Sequence, residues 1–214
     1  HYDRCGIDAE VSAEQLNGIY RSKYRLKEQP LVSVIIPNKD HTEDLDKCIR
    51  SIEEKGTYKN IEYIVIENNS EKKETFAYYE KLQAENPKVK VVFWEREFNY
   101  SAINNYGVGF AKGEYLLFLN NDTEIINPDC IEELLGYCMR DDVGIVGARL
   151  YYEDDTIQHV GVIIGLGGVA GHTFVGEPKD SLGYFGRIVT AQDYSAVTAA
   201  CLMTKRKVFE KVNG

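Results

Sequence analysis

Three short polar clusters in this 214-residue chain carry the groups from which chemistry could be built. Asn120-Asn121-Asp122 follows the apolar run Tyr115 to Leu119, Glu67-Asn68-Asn69-Ser70 closes the run that begins at Ile61, and Pro37-Asn38 through Thr42 follows Val32 to Ile36. A carboxylate set among carboxamides offers hard oxygen donors, the kind that magnesium or manganese takes together with waters and substrate phosphates. One Asp suffices when phosphates supply the remaining oxygens. A bound cation would also offset the repulsion that a chain of formal charge −9 exerts on a diphosphate. Each cluster has a plainer use as well. Asn and Asp hydrogen-bond their own backbone in turns, Ser70 can cap a helix, and so can Asp40 or Thr42.

These clusters matter only if elements bring them together, and the hydrophobic pattern supplies such elements. With 43% hydrophobic and 28% charged residues, the composition fits one soluble α/β domain plus a short appendage. Val32 to Ile36 is a β-rich run stopped by Pro37, and Leu45, Cys48, Ile49 and Ile52 follow helical spacing. Ile61 to Glu67 predicts a second strand, and Glu71 to Asn86 a helix with Phe76, Tyr79 and Leu82 inward. Val89 to Trp94 predicts a third strand, Ser101 to Lys112 a helix ended by Gly113, and Tyr115 to Leu119 a fourth strand. Asn127-Pro128 has the form of an N-cap followed by Pro at the first helical position. Four βα units in succession imply a mainly parallel sheet with helices on both faces. Ligands of such sheets sit beyond the carboxyl ends of the strands, where all three polar clusters fall.

The remainder is less regular. Residues 1–30 show no sustained period and are expected to be a linker or the tail of a preceding domain, leaving 31–214 as the α/β domain. Val143 to Tyr152 and Ile157 to Ile164 predict strands about an Asp154-Asp155 turn, and Gly165 to Gly186 a long glycine-rich loop. Thr198 to Thr204 predicts a further strand and Lys205 to Val212 a helix. Gly165-Leu166-Gly167-Gly168-Val169-Ala170 matches a dinucleotide fingerprint in letters only, because no amphipathic helix follows it. His172, His159 and His41 have no partner pattern, and Asp193 precedes a strand instead of closing one.

The bulk properties exclude several classes. No apolar run approaches a membrane span, and no Lys/Arg block exceeds Lys205-Arg206-Lys207, so neither bilayer crossing nor general nucleic-acid binding is expected. Five scattered cysteines suggest neither a disulfide framework nor a zinc site and fit a reducing, cytoplasmic setting. The start lacks both Met and the apolar core of a secretory signal, so the sequence reads as an excised segment.

From Leu31 to Gly214 the chain resembles glycosyltransferase family 2, in particular the bacterial enzymes of polysaccharide and lipopolysaccharide synthesis. The resemblance rests on Val32-Ser33-Val34-Ile35-Ile36-Pro37-Asn38, Ile64 to Ser70, Asn105-Tyr106-Gly107, and Ala111-Lys112-Gly113-Glu114-Tyr115-Leu116-Leu117-Phe118-Leu119-Asn120-Asn121-Asp122, in that order. It implies a GT-A fold, Rossmann-like, and an inverting transfer of a hexose from a nucleoside-diphosphate sugar to a glycan or lipid-linked glycan acceptor at the cytoplasmic face of the inner membrane. It implies Mn2+ or Mg2+ at Asp122, neutralising the departing diphosphate. The expected donor-binding residues are Pro37, Asn38, Asp40, Glu67, Asn68, Ser70, Asn104, Asn105, Asn120, Asn121 and Asp122. A UDP-sugar is the expected donor, with a dTDP-sugar second. Two departures stand out: Asn120 occupies the first position of the usual Asp-x-Asp, and Glu67 is one methylene longer than the usual Asp. The catalytic base of the family is a carboxylate downstream of the strand and helix at 198–212, so it is expected beyond Gly214. The competing classes are a non-catalytic nucleotide-sugar-binding module and a sugar-nucleotide pyrophosphorylase, the latter disfavoured because Pro37-Asn38-Lys39-Asp40 has no glycine. The sequence leaves sugar, base, acceptor and oligomeric state open.

Overall fold

The computed structural model describes residues 2–14 and 16–214; His1 and Gln15, both within the segment expected to be a linker, lie outside the described residues. The chain divides into two units, residues 28–145 with 199–214, and residues 1–27 with 146–198.

The larger unit is built on strands β1 (Val32–Asn38), β2 (Ile61–Glu67), β3 (Val89–Phe93) and β4 (Tyr115–Leu119), separated by helices α1 (Thr42–Arg50), α2 (Lys73–Glu85) and α3 (Tyr100–Val108). Helix α4 (Cys130–Cys138) follows, then strand β5 (Ile145–Gly147), through which the chain leaves this unit, and β6 (Cys201–Lys205) with α5 (Arg206–Lys211) brings it back. The sheet order is β3-β2-β1-β4-β6-β5. The β1–β2, β2–β3 and β1–β4 pairs are parallel, and β6 runs antiparallel to β4 with Cys201 opposite Leu119. The fold class is therefore the expected mainly parallel α/β sheet.

Burial explains why β1, β2 and β4 read as continuous apolar runs. Ile35, Ile64, Ile66, Leu116 and Phe118 form one core face with Ile103 and Val108 of α3. The alternate residues Val34, Ile36, Leu117 and Leu119 are equally buried, and alternation along a strand places them on the other face. Each such side chain contributes about 1.5–3 kcal/mol by leaving water. Gly107 lets α3 approach: a Cβ there would stand 2.4 Å from Ile66 Cδ1 and 3.0 Å from Ile35 Cγ2.

Several boundaries differ from expectation for identifiable reasons. Strand β1 runs through Pro37 to Asn38, because its pairing with β4 ends at Ile35 and Pro37 faces only β2. In α2 the inward set is Thr75, Tyr79 and Leu82, while Phe76 is 38% exposed. The Thr75 hydroxyl donates to Asp40, which fixes the helix rotation. Helix α3 ends at Val108, and residues 109–111 continue as tight turns. Helix α4 starts at Cys130: the Asn127 carbonyl accepts from Cys130 in a preceding turn, and the Pro128 carbonyl is taken by Thr57.

The smaller unit is made of short antiparallel ladders. Ala9–Ala13 pairs with Tyr20–Tyr24, so the segment expected to be a linker contains a hairpin. Leu150–Tyr151 pairs with Ile157–His159 about the Asp154-Asp155 turn, a shorter form of the expected hairpin. Val162–Ile164 pairs with Ala170–His172, so the stretch expected to be loop contains a strand. Gly165, Gly167 and Gly168 adopt φ of 92°, 68° and 115°, a left-handed path that lets the chain reverse between those strands. His159 is buried; its Nδ1 lies 3.2 Å from His172 Nδ1, and its Nε2 accepts from the Thr198 N–H. Burial and the neighbouring His172 push the His159 pKa down to about 4.

Candidate functional site

The carboxyl ends of β1, β2 and β4 are adjacent because these strands are parallel neighbours, and they carry the three polar clusters. Side chains of all three clusters join in one chain of hydrogen bonds. Asn121 Nδ2 donates to Asn38 Oδ1 at 2.6 Å, Asn38 Nδ2 donates to the Tyr79 hydroxyl at 2.8 Å, and Tyr79 donates to Glu67 Oε2 at 2.8 Å. Glu67 also accepts from the Ser70 backbone N–H and, at 2.6 Å, from the Ser70 hydroxyl. Asn38, Glu67 and Tyr79 are buried, and burial pushes the Tyr79 phenol up, so it stays protonated as the donor to Glu67. The helical spacing of Tyr79 predicts a core residue, and nothing in that spacing reveals the two polar partners of its hydroxyl.

Other expected site residues fall into distinct roles. Asn68 is 5% exposed and donates both amide hydrogens, to the carbonyls of Trp94 at 3.2 Å and Arg96 at 3.1 Å. Asn69 adopts φ 55°, a conformation its residue type tolerates, and donates to the Arg96 carbonyl. Asp40, also at positive φ, accepts from the N–H groups of Glu71 and Lys72 and from Thr75 Oγ1. It therefore caps the start of α2, not that of the helix following it in sequence. Those bonds, the Glu71 N–H first, hold its carboxyl down at about 2. Ser70 ties this corner together by accepting from the Asp40 N–H. Asn104 is buried, donates to the Tyr100 carbonyl at 2.8 Å and leaves its Oδ1 without a partner, whereas Asn105 is exposed. An open groove of ≈ 470 Å³ lies past the end of β3, lined by Phe93, Trp94, Glu95, Arg96, Ala102 and Tyr106.

At the end of β4 the backbone is pinned and the acid is not. The Asn120 N–H donates to the Ala200 carbonyl at 3.0 Å, and the Asn120 carbonyl accepts from Cys48 Sγ at 3.7 Å. Burial, helped by the charges of Asp122 and Glu124, pushes the Cys48 thiol up to about 12. It remains a neutral donor. Asp122 itself is exposed, and its carboxylate has no hydrogen bond or ion pair among the described residues. Among the described residues no group of three His, Cys, Asp or Glu could enclose a metal ion. A single free carboxylate fits a hard cation shared with substrate phosphates, and does not fit a cation caged by protein alone. Nor is any helix of the described residues long and apolar enough to cross a membrane.

Comparison with known proteins agrees with this architecture. The model of the family described as "Glycosyl transferase family 2" matches residues 33–212. The chain is 44% identical over 195 residues to "Uncharacterized protein y4gI" of Sinorhizobium fredii, covering 91% of this chain and 22% of that protein. It is 38% identical over 215 residues to "O-antigen biosynthesis protein RfbC" of Myxococcus xanthus, covering 100% of this chain and 17% of that protein. The chain thus spans about a fifth of the length of these two relatives. Among solved structures, a mannosyltransferase from Pyrobaculum calidifontis, in complex with GDP-Man and Mn2+, has a TM-score of 0.64 at 14% identity, over 88% of this chain and 48% of that one. The chain belongs to glycosyltransferase family 2 and has its GT-A fold.

Proposed function

We propose that this chain forms the donor-binding part of an inverting hexosyltransferase that uses a nucleoside-diphosphate sugar and a divalent cation to extend a bacterial surface glycan. The observation that carries this reading is the free Asp122 carboxylate at the end of a buried strand, beside Asn121, Asn38 and Glu67, whose side chains are engaged with one another through Tyr79. Bound there, Mn2+ or Mg2+ would neutralise charge on the departing diphosphate. The O-antigen role in the name of the Myxococcus relative supports the glycan class, and the GDP-Man and Mn2+ of the archaeal neighbour support the nucleotide-sugar and metal requirement. An acceptor-activating base, which this reading requires, is worth roughly 10² to 10⁴ in rate.

Asn68 supports a choice among nucleobases. With both amide hydrogens committed to main-chain carbonyls, it has only an acceptor, Oδ1, left to offer. An acceptor aimed at pyrimidine N3 or purine N1 matches the ring N–H of uracil, thymine or guanine and opposes the lone pair there in cytosine or adenine, whose exocyclic amines it would accept only if aimed at them. A UDP-sugar remains our first choice, with a dTDP-sugar second. Glu67 takes a supporting part, because its carboxylate is filled by Ser70 and Tyr79.

The test is calorimetry of UDP, dTDP, GDP, CDP and ADP with and without Mn2+. We expect binding of the first three only with metal, and its loss in Asp122→Ala. Absence of binding by any of them in the presence of Mn2+ would sink the reading. Equal binding without metal would favour a non-catalytic nucleotide-sugar module, which the replacement of the first Asp by Asn120 makes the second reading.

A further inference from the structure

We propose that Tyr79 is a positioning residue, set on α2 outside the strand-end loops, that holds the nucleoside end and the metal end of the donor site in one arrangement. The proposal rests on the donor-site reading above. Its basis is the direction of each hydrogen bond. Glu67, ending β2, is acceptor-only when ionised, so the Tyr79 hydroxyl must give it its proton. The phenol oxygen then has only acceptor capacity for Asn38, so Asn38 must present its NH2 there at 2.8 Å. That orientation turns Asn38 Oδ1 the other way, toward the Asn121 NH2 at 2.6 Å. Each residue type in the relay follows from the one before it. Asn38 in particular must be an amide, since Asp at 38 would still accept from the Asn121 NH2 but would have no hydrogen to give the phenol oxygen.

The relay joins positions far apart in sequence. Glu67 adjoins Asn68, which offers its free Oδ1 to the base, and Asn121 adjoins Asp122, whose own carboxylate is free for the cation. Among the described residues nothing else holds the Asn121 side chain, and Tyr79, at 2% exposure, cannot reorient without vacating a packed site. Ser70 bonds both Glu67 oxygens, its N–H at Oε1 and its hydroxyl at the Oε2 that Tyr79 also uses, and it accepts from the Asp40 N–H, so the carboxylate end of the relay is anchored on the β1 loop as well as on α2. Removing the phenol oxygen frees Asn38 to rotate its amide, and the Asn121 tether loses the acceptor it was aimed at.

The experiment is a double-mutant cycle on the ligand-free and ligand-bound protein with Tyr79→Phe, Asn121→Ala and both together. In the ligand-free protein, NMR exchange of the Asn121 side-chain amide hydrogens reads the relay without any nucleotide. We expect faster exchange in Tyr79→Phe, and unchanged exchange would overturn the relay whatever the protein binds. With Mn2+ and UDP, each single variant should bind about five- to tenfold more weakly. The double variant should be no weaker than either alone to within about twofold, because one broken link leaves nothing for the second to break. Multiplying effects would show that Tyr79 acts only through general packing. Asn121→Ala changes a partly exposed side chain, so it keeps the test informative if Tyr79→Phe unfolds. Loss of UDP binding by the unsubstituted chain would count against the donor reading, and the exchange result would still judge the relay.

Discussion

The two units of this chain solve the problem of positioning polar groups by different means. In the larger unit the strand-end residues are held by buried side-chain partners, as Glu67 is by Ser70 and Tyr79. In the smaller unit ladders two to five residues long are joined by turns, and Ile164, Val169, Tyr184 and Phe185 are 68–86% exposed. A parallel sheet must be covered on both faces, so its ends inherit a rigid frame. Short antiparallel ladders with glycine turns have no such frame and depend on single polar contacts, of which the buried His159 beside His172 is the clearest.

The largest effect should come from crowding the frame. Gly113→Ala would place a Cβ 2.5 Å from the Leu31 carbonyl oxygen and 2.8 Å from the Ser33 nitrogen, both main-chain atoms that cannot step aside. We expect a loss of about 2–3 kcal/mol in denaturant unfolding. A loss under about 0.5 kcal/mol would mean that the frame is softer than its packing indicates.

Next comes acid, which should loosen the units in different windows. The pKa of His159 is lowered from its ordinary 6.5 to about 4, so the unfolded chain takes the proton first. Its contribution is full above pH 6.5 and falls as pH drops toward 4. The pKa of Asp40 is lowered from 3.8 to about 2, so its contribution is present above 3.8 and is lost as pH falls through about 2. Hydrogen-exchange protection factors at 157–172, taken relative to intrinsic rates at each pH, should therefore fall between pH 6.5 and 4, while those at the start of α2 hold until lower pH. Asp40→Asn should narrow the second difference only. Simultaneous loosening of both regions would break the comparison.

The smallest effect should follow Val169→Ser. This residue is 86% exposed in the glycine-rich turn, and a change within about 0.5 kcal/mol is expected from thermal melting. A larger loss would reveal a contact that makes the smaller unit resemble the larger one.

Much of the larger unit was legible beforehand for the same reason that it is rigid. The Ile61–Glu67 strand has the bounds its sequence predicts, because burial on both faces keeps Tyr63 to Ile66 apolar, while the half-buried Glu62 is satisfied by Ser33 and Gly113. Local chemistry misled where a distant partner decided the outcome. Phe76 has the spacing of a core residue, yet Thr75 turns inward because Asp40 accepts its hydroxyl. Pro37 signals a strand end, yet the strand passes it because β4 has already stopped pairing there. The Ala9–Ala13 and Tyr20–Tyr24 strands and the strand at 170–172 leave no mark in the sequence pattern, because short, exposed strands need no hydrophobic alternation.

The sequence by itself determined the parallel α/β sheet, the clustering of Asn38, Glu67, Asn68 and Asp122 at strand ends, and the family, since each depends on periodicity or on ordered local runs. Tertiary structure alone decided which polar groups are already engaged. Asp40 and Glu67 look as available as Asp122 in the sequence, but the first two are filled by Glu71, Lys72, Thr75, Ser70 and Tyr79 and the third is not. A hydrogen bond such as that from Asn121 to Asn38, 83 positions apart, leaves no trace in local spacing.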